Sequence, residues 1–325
     1  MQSAVGIKDV ADHAGVSPGT VSNVLNRPEK VSEPTRLRVE AAIRELGFVR
    51  HGSASTLRAG HSKTIGLALM DIANPFFADL VTGVEETAGE RGYAVILGNS
   101  AGSVVREQRN LLVLAEHRVR GVLITPTGEN PAQRLRERGI SVVLVDHPAA
   151  RPDQCSVAVD DVAGGAMAAG HLRERGAASI TYVTGPLTIR QCLDRRTGAE
   201  RGGSVQVIEM TGMTANDGQA AAAKMLSEGA LPDAVFCAND LMALGLLREL
   251  TRAGVRVPED VALVGYDDID FAAASSVPLT SVRQPTHALG RVATDLLLDE
   301  CDNPATHAHQ QIMFQPELVI RESTR

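Results

Sequence analysis

From Thr64 onward the chain alternates short aliphatic segments with longer amphipathic ones, and this alternation constrains the fold more than any other feature. Eight segments have the continuous apolar character of strands buried on both faces: 64–70, 93–99, 121–125, 142–146, 180–185, 204–210, 234–239 and 261–267. Segments with helical periodicity separate many of them, at 75–91, 104–118, 163–175, 216–228 and 240–253. Such strands between helices indicate parallel sheets covered on both faces. Because the alternation forms two series, it predicts two doubly wound α/β lobes.

The residues that end these strands are candidates for a binding pocket, because ligands of doubly wound sheets bind beyond the carboxyl ends of the strands. On this geometric argument alone, five residues are expected to face a pocket: Asp71, Asp146, Gly185, Asn239 and Asp267. The sequence contains no GxxxxGK[ST] phosphate loop, and no GxGxxG follows a strand. An enzyme that uses a nucleotide triphosphate or a dinucleotide is therefore poorly supported.

Residues 7–26 have the pattern of two short helices joined by a tight turn. Apolar residues face each other from the two helices: Val10, Ala11, Ala14, Val21, Val24 and Leu25. Gly15 suits the turn because positive φ costs glycine little. Ser17 suits the N-cap of the second helix and Pro18 its first position. The pattern predicts a helix-turn-helix with small polar residues on its outer face, where a DNA groove would lie.

A third helix is predicted to follow, with Ser32 as its cap and Gly47 at its end. Its buried stripe is expected to consist of Val39, Ala42, Ile43 and Leu46. These three helices predict an all-α headpiece over residues 1–48. Residues 49–63 are small, polar and basic, which is typical of a linker, and residues 54–59 suit a short helical turn. The α/β core is then expected to occupy residues 64–325.

The charge is unevenly distributed along the chain. The whole sequence carries a net charge of −7, but residues 1–62 contain eight Lys or Arg against six Asp or Glu. A mildly basic headpiece therefore precedes an acidic core, and we expect its attraction to phosphate to be local and sensitive to salt. The four cysteines are scattered without a CxxC pair, which favours reduced structural thiols.

Other function classes receive little support from the residues. No signal peptide is evident, and no apolar run approaches the roughly 20 residues of a membrane helix, so we expect a soluble protein of the cytoplasm. No Ser/His/Asp, Cys/His or paired-carboxylate arrangement supports catalysis, and no cofactor or catalytic residue is predicted. His307 and His309 form an HxH pair without an evident third ligand, so a solvated loop is favoured over a metal site.

Four blocks of the chain resemble the LacI/GalR family of bacterial transcriptional regulators. IKDVADHAGVSPGTVSNVLN (7–26) resembles the family's DNA-binding signature, and 71–93 the opening of its effector-binding core. Residues 236–270 and 278–285 resemble its downstream blocks, in the family's order. The resemblance implies a core similar to type I periplasmic binding proteins. It also implies a homodimer, a small effector between the lobes, and a near-palindromic double-stranded operator. The lobes would be 64–158 with 286–314, and 159–285 with 315–325.

The resemblance and the hydrogen-bonding capacity of the side chains suggest a set of DNA-binding residues: Ser17, Pro18, Gly19, Thr20, Ser22, Asn23, Asn26, Ser32, Thr35, Leu57 and Arg58. Asn23 is the best direct reader of a base, while a solvated helix face is the alternative. Ser32 and Thr35 match phosphate contacts of the family, although they could instead only cap the third helix. Leu57 matches the hinge leucine that wedges into the minor groove, the alternative being a leucine packed on the core. Arg50-His51 replaces a Pro-Asn that is frequent in the family.

The same resemblance suggests a set of effector-binding residues: Asn74, Phe76, Asp146, Arg195, Met213, Asn239, Asp267 and Gln284. Phe76 matches a position that stacks on effector rings, or it is a buried phenylalanine, with Phe77 the better core candidate. Arg195 matches an arginine that holds effector hydroxyls or carboxylates. The chain reaches its next strand soon after Gly198, so the helix that carries Arg195 is expected to be short or partly missing. Asp240 and Asp268 are expected to cap helices or turns.

These observations lead to the hypothesis of a transcriptional repressor, not an enzyme, that a small metabolite controls. Sugars, sugar phosphates and nucleobases are all compatible with the residues, and the metabolite could act as inducer or co-repressor. A transport receptor of the periplasmic-binding-protein type is the main alternative, because the core alone would resemble one. The helix-turn-helix disfavours that alternative.

Overall fold

The computed structural model describes residues 5–48, 62–128, 133–229 and 231–324. By their internal contacts, the described residues fall into two compact units, one within 1–60 and the other within 61–325. Each unit has its own apolar core, and each is described by itself.

The first unit is a three-helix headpiece. Helices α1 (Ile7–Ala14) and α2 (Pro18–Asn26) precede a short 3₁₀ turn (Pro28–Lys30) and helix α3 (Glu33–Leu46). The expected apolar faces meet in its core, where Val10, Val21 and Val39 are fully buried. Gly15 and Gly47 end α1 and α3 in left-handed conformations, with φ of 63° and 61°. The predicted helix-turn-helix is therefore present within the described residues.

The second unit contains two six-stranded sheets. The first sheet has the strand order β11-β5-β4-β3-β1-β2, and all of its pairings are parallel. Its strands are β1 (Thr64–Leu69), β2 (Ala94–Asn99), β3 (Gly121–Ile124), β4 (Ser141–Val145), β5 (Ser156–Val159) and β11 (Gln311–Phe314). The helices of this lobe are α4 (Pro75–Glu90), α5 (Val104–Glu116), the single turn α6 (Gln133–Arg136) and α12 (Thr286–Asp302).

The second sheet repeats the same order as β12-β10-β9-β8-β6-β7. Its strands are β6 (Ile180–Thr184), β7 (Gln206–Glu209), β8 (Ala234–Cys237), β9 (Ala262–Asp267), β10 (Thr280–Arg283) and β12 (Glu317–Val319). Its helices are α7 (Asp161–Glu174), α8 (Arg190–Glu200), α9 (Ala215–Glu228), α10 (Asp240–Arg252), the single turn α11 (Asp270–Ala273) and a final 3₁₀ turn (Glu322–Thr324). Strand β12 pairs antiparallel with β10, so the chain closes this sheet with a reversed edge strand.

The predicted fold class, two doubly wound lobes joined to a small helical headpiece, is confirmed. All eight predicted strands are present, and four further strands complete the two sheets. These four strands, β5, β10, β11 and β12, have only three or four residues each.

Three pairs of helices pack through reciprocal glycines. A Cβ at Gly83 of α4 would clash with the carbonyl oxygen of His287, and one at Gly290 of α12 with that of Leu80. The pairs α7–α8 and α9–α10 repeat this arrangement through the glycines Gly165 and Gly198, and Gly218 and Gly245. Backbone therefore lies directly against backbone in each pair.

None of the described helices combines the length and the apolar character that crossing a bilayer requires.

Candidate functional site

The outer face of the headpiece presents the predicted DNA-reading residues. Ser17, Pro18, Gly19, Asn23 and Asn26 are exposed, and Thr20 and Ser22 are half-buried. The hydroxyl of Ser17 caps α2 by accepting from the backbone N–H of Thr20, at 3.1 Å. The exposed amide of Asn23 can donate and accept at once, which is what a bidentate contact to adenine requires.

Ser32 and Thr35 lie together at the start of α3. Ser32 occupies the N-cap position, but its side chain makes no capping hydrogen bond and donates to the Thr35 hydroxyl at 3.0 Å. Ser32 is therefore the N-cap residue, as predicted, but its hydroxyl does not satisfy a backbone N–H of the helix. Leu57 and Arg58 lie outside the described residues, as do Arg50 and His51.

A narrow cleft lies between the two sheets of the second unit. It forms where the carboxyl ends of β1, β4, β8 and β9 meet the amino ends of α4 and α8. The residues that line it are Met70, Asn74, Phe76, Phe77, Asp146, Ile189, Gln191, Arg195, Met213, Asn239 and Asp267. Seven of the eight predicted effector residues are thus brought together.

Arg195 is the cation among these lining residues, and it is held from several sides. Its Nε donates to Asp161 at 2.7 Å, and one terminal nitrogen donates to the Ala238 carbonyl at 2.6 Å. Its guanidinium carbon lies 3.6 Å from the centre of the Tyr266 ring, a cation–π geometry. Asp267 lies 3.9 Å from the same terminal nitrogen. The residue is only 4% exposed, so these partners fix the guanidinium at the cleft wall.

The helix that carries Arg195 is short but complete. Helix α8 spans 11 residues and continues through Gly198, so no part of it is missing around the arginine. Its close approach to α7 through Gly165 and Gly198 brings Arg195 within reach of Asp161, the first residue of α7. The short connection to β7 therefore leaves the arginine and its helix in place.

Hydrogen bonds between two pairs of residues join the first lobe to the second across the cleft. Asn74 Nδ2 donates to Asp267 at 3.1 Å, while Asn74 Oδ1 caps α4 by accepting from the Phe76 N–H. Gln191 Nε2 donates to the Asp146 carbonyl at 2.6 Å and to its carboxylate at 2.8 Å. In this conformation the polar side chains of each lobe thus fill part of the hydrogen-bonding capacity of the other lobe.

Some acceptor atoms at the cleft remain buried without a donor. They include Oδ1 of Asp146 and Oε1 of Gln191. Unpaired acceptors of this kind cost free energy unless a ligand or water supplies a donor. The cleft is therefore prepared to accept hydrogen bonds from hydroxyl groups.

Burial also changes the acidity of the cleft carboxyls. It raises the pKa of Asp146 to about 8, an effect to which the charge of Asp161 adds. Burial raises the pKa of Asp267 to about 6, although Arg195 and the hydrogen bonds from Asn74 and Gln284 oppose the shift. Near neutral pH the site is consequently less anionic than its composition suggests.

The backbone at these carboxyls adopts an uncommon conformation. Asp146, Asp267 and Asp268 have positive φ angles of 55°, 102° and 54°. Such residues occur mainly where the surrounding structure imposes the conformation, often at ligand sites. Here the positive φ turns the chain sharply as it leaves β4 and β9.

The remaining predicted residues differ in their placement. Gln284 does not line the cleft, but its side chain donates to Asp267 at 2.9 Å and so supports a lining residue. Asp71 also stays outside the lining, where it accepts a hydrogen bond from the N–H of Ala73.

Asp240 does not cap α10, because Asn239 occupies that position. Asp240 is fully buried and accepts hydrogen bonds from the Ile269 N–H and the Ser281 hydroxyl. Phe77 lines the cleft beside Phe76, their rings edge to face at 5.0 Å.

Sequence reasoning missed Gln191 and Asp161. Gln191 precedes Arg195 by four residues, so helical spacing places the two on one face, and this signal could have identified it. Asp161 follows β5, a four-residue strand, and was missed because that strand was not recognised. Asp161 holds Arg195 without lining the cleft itself.

Comparison with known proteins identifies the family of the chain. Residues 6–51 match the family model "Bacterial regulatory proteins, lacI family", and residues 169–324 match that of a "Periplasmic binding protein-like domain". The chain is 36% identical over 327 residues to the ribose operon repressor of Escherichia coli, which covers 98% of this chain and 99% of that protein. The chain belongs to the lacI family of bacterial regulatory proteins.

Solved structures of the family share its fold. The Lac repressor dimer bound to operator and the anti-inducer ONPF matches with a TM-score of 0.85 and 29% identity, covering 99% of both chains. A LacI family regulator from Enterococcus faecalis with bound ribose matches with a TM-score of 0.73 and 32% identity, covering 80% of this chain and 98% of that one. Members of this family are transcriptional regulators, as the helix-turn-helix predicted.

Proposed function

We propose that this lacI-family protein is a transcriptional repressor that binds a near-palindromic operator as a homodimer and responds to a small neutral sugar, with an aldopentose such as ribose as the first candidate. The hydrogen-bonding balance of the cleft carries the choice of effector. Buried oxygen atoms of Asp146 and Gln191 lack hydrogen-bond partners, and sugar hydroxyls can both donate and accept.

The charges of the cleft favour a neutral sugar over a sugar phosphate. Arg195 is the cation among the lining residues, and its Nε already pairs with Asp161 at 2.7 Å. A phosphate would therefore lie close to the carboxyls of Asp146 and Asp267 without a free cation to neutralise it. Hydroxyl groups need no such neutralisation.

The apolar part of the cleft lining favours a single sugar ring. Phe76 supplies an apolar surface against one face of a ring, and Met213 is a soft, adaptable neighbour on the wall. Ribose, which is named for two of the relatives, is a neutral sugar of a single ring.

We propose the domain boundaries and DNA contacts that the sequence predicts. Residues 1–48 would form the headpiece and 49–63 the hinge, with Asn23 as base reader, Ser32 and Thr35 as phosphate contacts, and Leu57 as the minor-groove wedge. The exposed Asn23 and the unused capping hydroxyl of Ser32 support the first two assignments. Such a regulator acts where its operator DNA is, in the cytoplasm, and it needs no catalysis.

Binding measurements on the full chain test the proposal. Thermal unfolding and calorimetry with D-ribose, ribose 5-phosphate and adenine should show ribose as the tightest of the three, since ligand at 100 times its Kd adds about 2.7 kcal/mol of stability. Gln191→Leu should weaken ribose binding at least about tenfold, whereas Arg196→Met, on the outer face of the same helix, should leave it unchanged. Tighter binding of the phosphate would refute the neutral-sugar assignment.

Operator binding is tested separately. Selection from a random pool of DNA duplexes should enrich a near-palindromic sequence, and deletion of residues 1–62 should abolish the enrichment. The effector must then change the affinity for the selected duplex, in whichever direction, because a ligand that binds both states equally shifts nothing. Failure to enrich any sequence would refute the repressor function.

A further inference from the structure

Four side chains with metal-binding chemistry meet at the edge of the first sheet, away from the effector cleft. Cys155 directly precedes β5, Glu300 lies in the last turn of α12, and His307 and His309 lie in the connection from α12 to β11. One potential ligand atom from each residue lies within 4.8 Å of those of the other three. The expectation of a solvated HxH loop is wrong for His307, whose side chain is only 2% exposed.

The distances within this Cys155–Glu300–His307–His309 cluster suit a small ion. Cys155 Sγ lies 3.1 Å from His307 Nε2 and 3.6 Å from His309 Nδ1. A tetrahedral zinc ion with bonds of about 2.3 Å to sulfur and about 2.0–2.1 Å to nitrogen separates such a pair by about 3.6 Å. The sulfur and nitrogen atoms of the cluster therefore already lie close to the spacing that a bound zinc ion would impose.

The surroundings of the cluster orient its ligands. The other ring nitrogen of His307, Nδ1, lies 2.7 Å from Asp299 Oδ2, which directs Nε2 toward Cys155. A carboxylate on the far nitrogen is a recurrent second contact of metal-binding histidines. The backbone N–H of Gln310 points to Cys155 Sγ at 3.4 Å.

One atom of the cluster has no partner that explains its position. Glu300 Oε2 is buried, and no hydrogen bond satisfies it. A buried carboxylate oxygen without a donor or cation is costly, and a coordinated metal would remove that cost.

We propose that Cys155, Glu300, His307 and His309 bind a Zn²⁺ ion. Thiolate and imidazole ligands select zinc and similar transition metals, whereas Mg²⁺ and Ca²⁺ prefer oxygen ligands alone. Four protein ligands fill a tetrahedral shell, as in structural zinc sites. The ion would tie the α12–β11 connection to the start of β5, and so fasten the edge strand β11 to the sheet through its neighbour β5.

Metal titration of the full chain, freed of metal by a chelator, tests this site. Zn²⁺ should bind with one ion per chain in competition with a chromogenic chelator and should raise the Tm. Co²⁺ should give a sulfur-to-cobalt charge-transfer band and the visible bands of a tetrahedral ion. His309→Ala is the principal variant, because His309 is exposed and its loss leaves the core intact. It should weaken binding at least about 100-fold, given that outer-shell changes alone cost 10–100-fold.

Further variants separate coordination from folding. Glu300→Gln keeps the shape of the side chain and should also weaken binding, while His117→Ala, an exposed histidine at the end of α5, should bind like the wild type. The metal-free variants should unfold at the same temperature as metal-free wild type. Binding that persists within tenfold in His309→Ala, or a Co²⁺ spectrum without the sulfur band, would overturn the proposal. Unchanged ribose binding in these variants would separate this site from the effector cleft.

Discussion

Replacing Arg195 with methionine is expected to destabilise the fold strongly, because it leaves buried carboxyls without their cation. The side chains of Arg195 and Asp161 are 5% and 8% exposed, and the Nε of Arg195 lies 2.7 Å from Oδ1 of Asp161. Without the arginine, Asp161 must either stay ionised in a dry site or take up a proton. Protonation at pH 7 of a group whose ordinary pKa is about 3.9 costs about 4 kcal/mol. This value agrees with the roughly 3–5 kcal/mol lost when one partner of a buried pair is removed.

The dependence of this loss on pH identifies its cause. In wild type, burial raises the pKa of Asp161 while Arg195 opposes the shift. Removing Arg195 raises this pKa further, so the penalty relative to wild type grows with pH and shrinks as pH falls. Between pH 7 and pH 5 the difference from wild type should decrease by up to about 1.4 kcal/mol per pH unit. Urea unfolding of the two proteins at pH 5, 6 and 7 measures this difference directly.

Two variants serve as controls for this prediction. Arg196→Met removes the neighbouring arginine, whose pair with Glu200 is partly exposed, and should cost less than about 0.5 kcal/mol. Adding Asp161→Asn to Arg195→Met should recover part of the lost stability, because the uncompensated charge is removed. A loss below about 1 kcal/mol in Arg195→Met, or one that does not vary with pH, would show that the ion pair does not hold this part of the site.

Three further predictions follow from other parts of the molecule. Asp146→Asn should become more stable than wild type as pH rises from about 4 to about 8, by up to about 1.4 kcal/mol per pH unit, with no further gain above pH 8. The reason is that the raised pKa of the folded carboxyl makes its ionisation unfavourable. A difference in unfolding free energy that stays constant with pH would contradict this prediction. Gly165→Ala should destabilise the fold by about 1–3 kcal/mol, because the added methyl group would clash with the Arg195 carbonyl. Gly170→Ala on the same helix has open space around it and should stabilise the fold by up to about 1 kcal/mol. Equal effects of the two variants in thermal unfolding would rule out the close helix contact. Asn23→Ala should weaken binding to the selected operator by about 1–3 kcal/mol and relax the sequence preference at one base pair per half-site. An equal loss of affinity for every DNA sequence would instead indicate that Asn23 contacts a phosphate.

The sequence predicts the fold well because its strongest signals are local. The strands from Thr64 onward are continuous aliphatic runs, and the helix-turn-helix combines the cap of Ser17 with the turn of Gly15 within 20 residues. Residues that end long strands, such as Asp146 and Asp267, could be placed at the cleft by the rule for parallel sheets alone.

What the sequence does not predict depends on contacts between distant segments. Asp161 follows a strand of only four residues, and its role appears only once α7 lies against α8. The same holds for the metal cluster, where Cys155 precedes His307 by 152 residues. No periodicity or spacing links positions so far apart, so the HxH pair seemed to have no third ligand.

The reciprocal glycines have a consequence for how the two lobes can move. Helices that touch through side chains can slide, because rotamers readjust at little cost as the layers shift. The pairs α4–α12, α7–α8 and α9–α10 instead interlock through their backbones, which cannot readjust. Sliding is thereby blocked inside each lobe, and opening or closing of the cleft must be absorbed by rotation about the three short connections between the sheets, near residues 160, 285 and 315. A rotation of a few degrees at those connections would then move each lobe as a rigid body, including its far end.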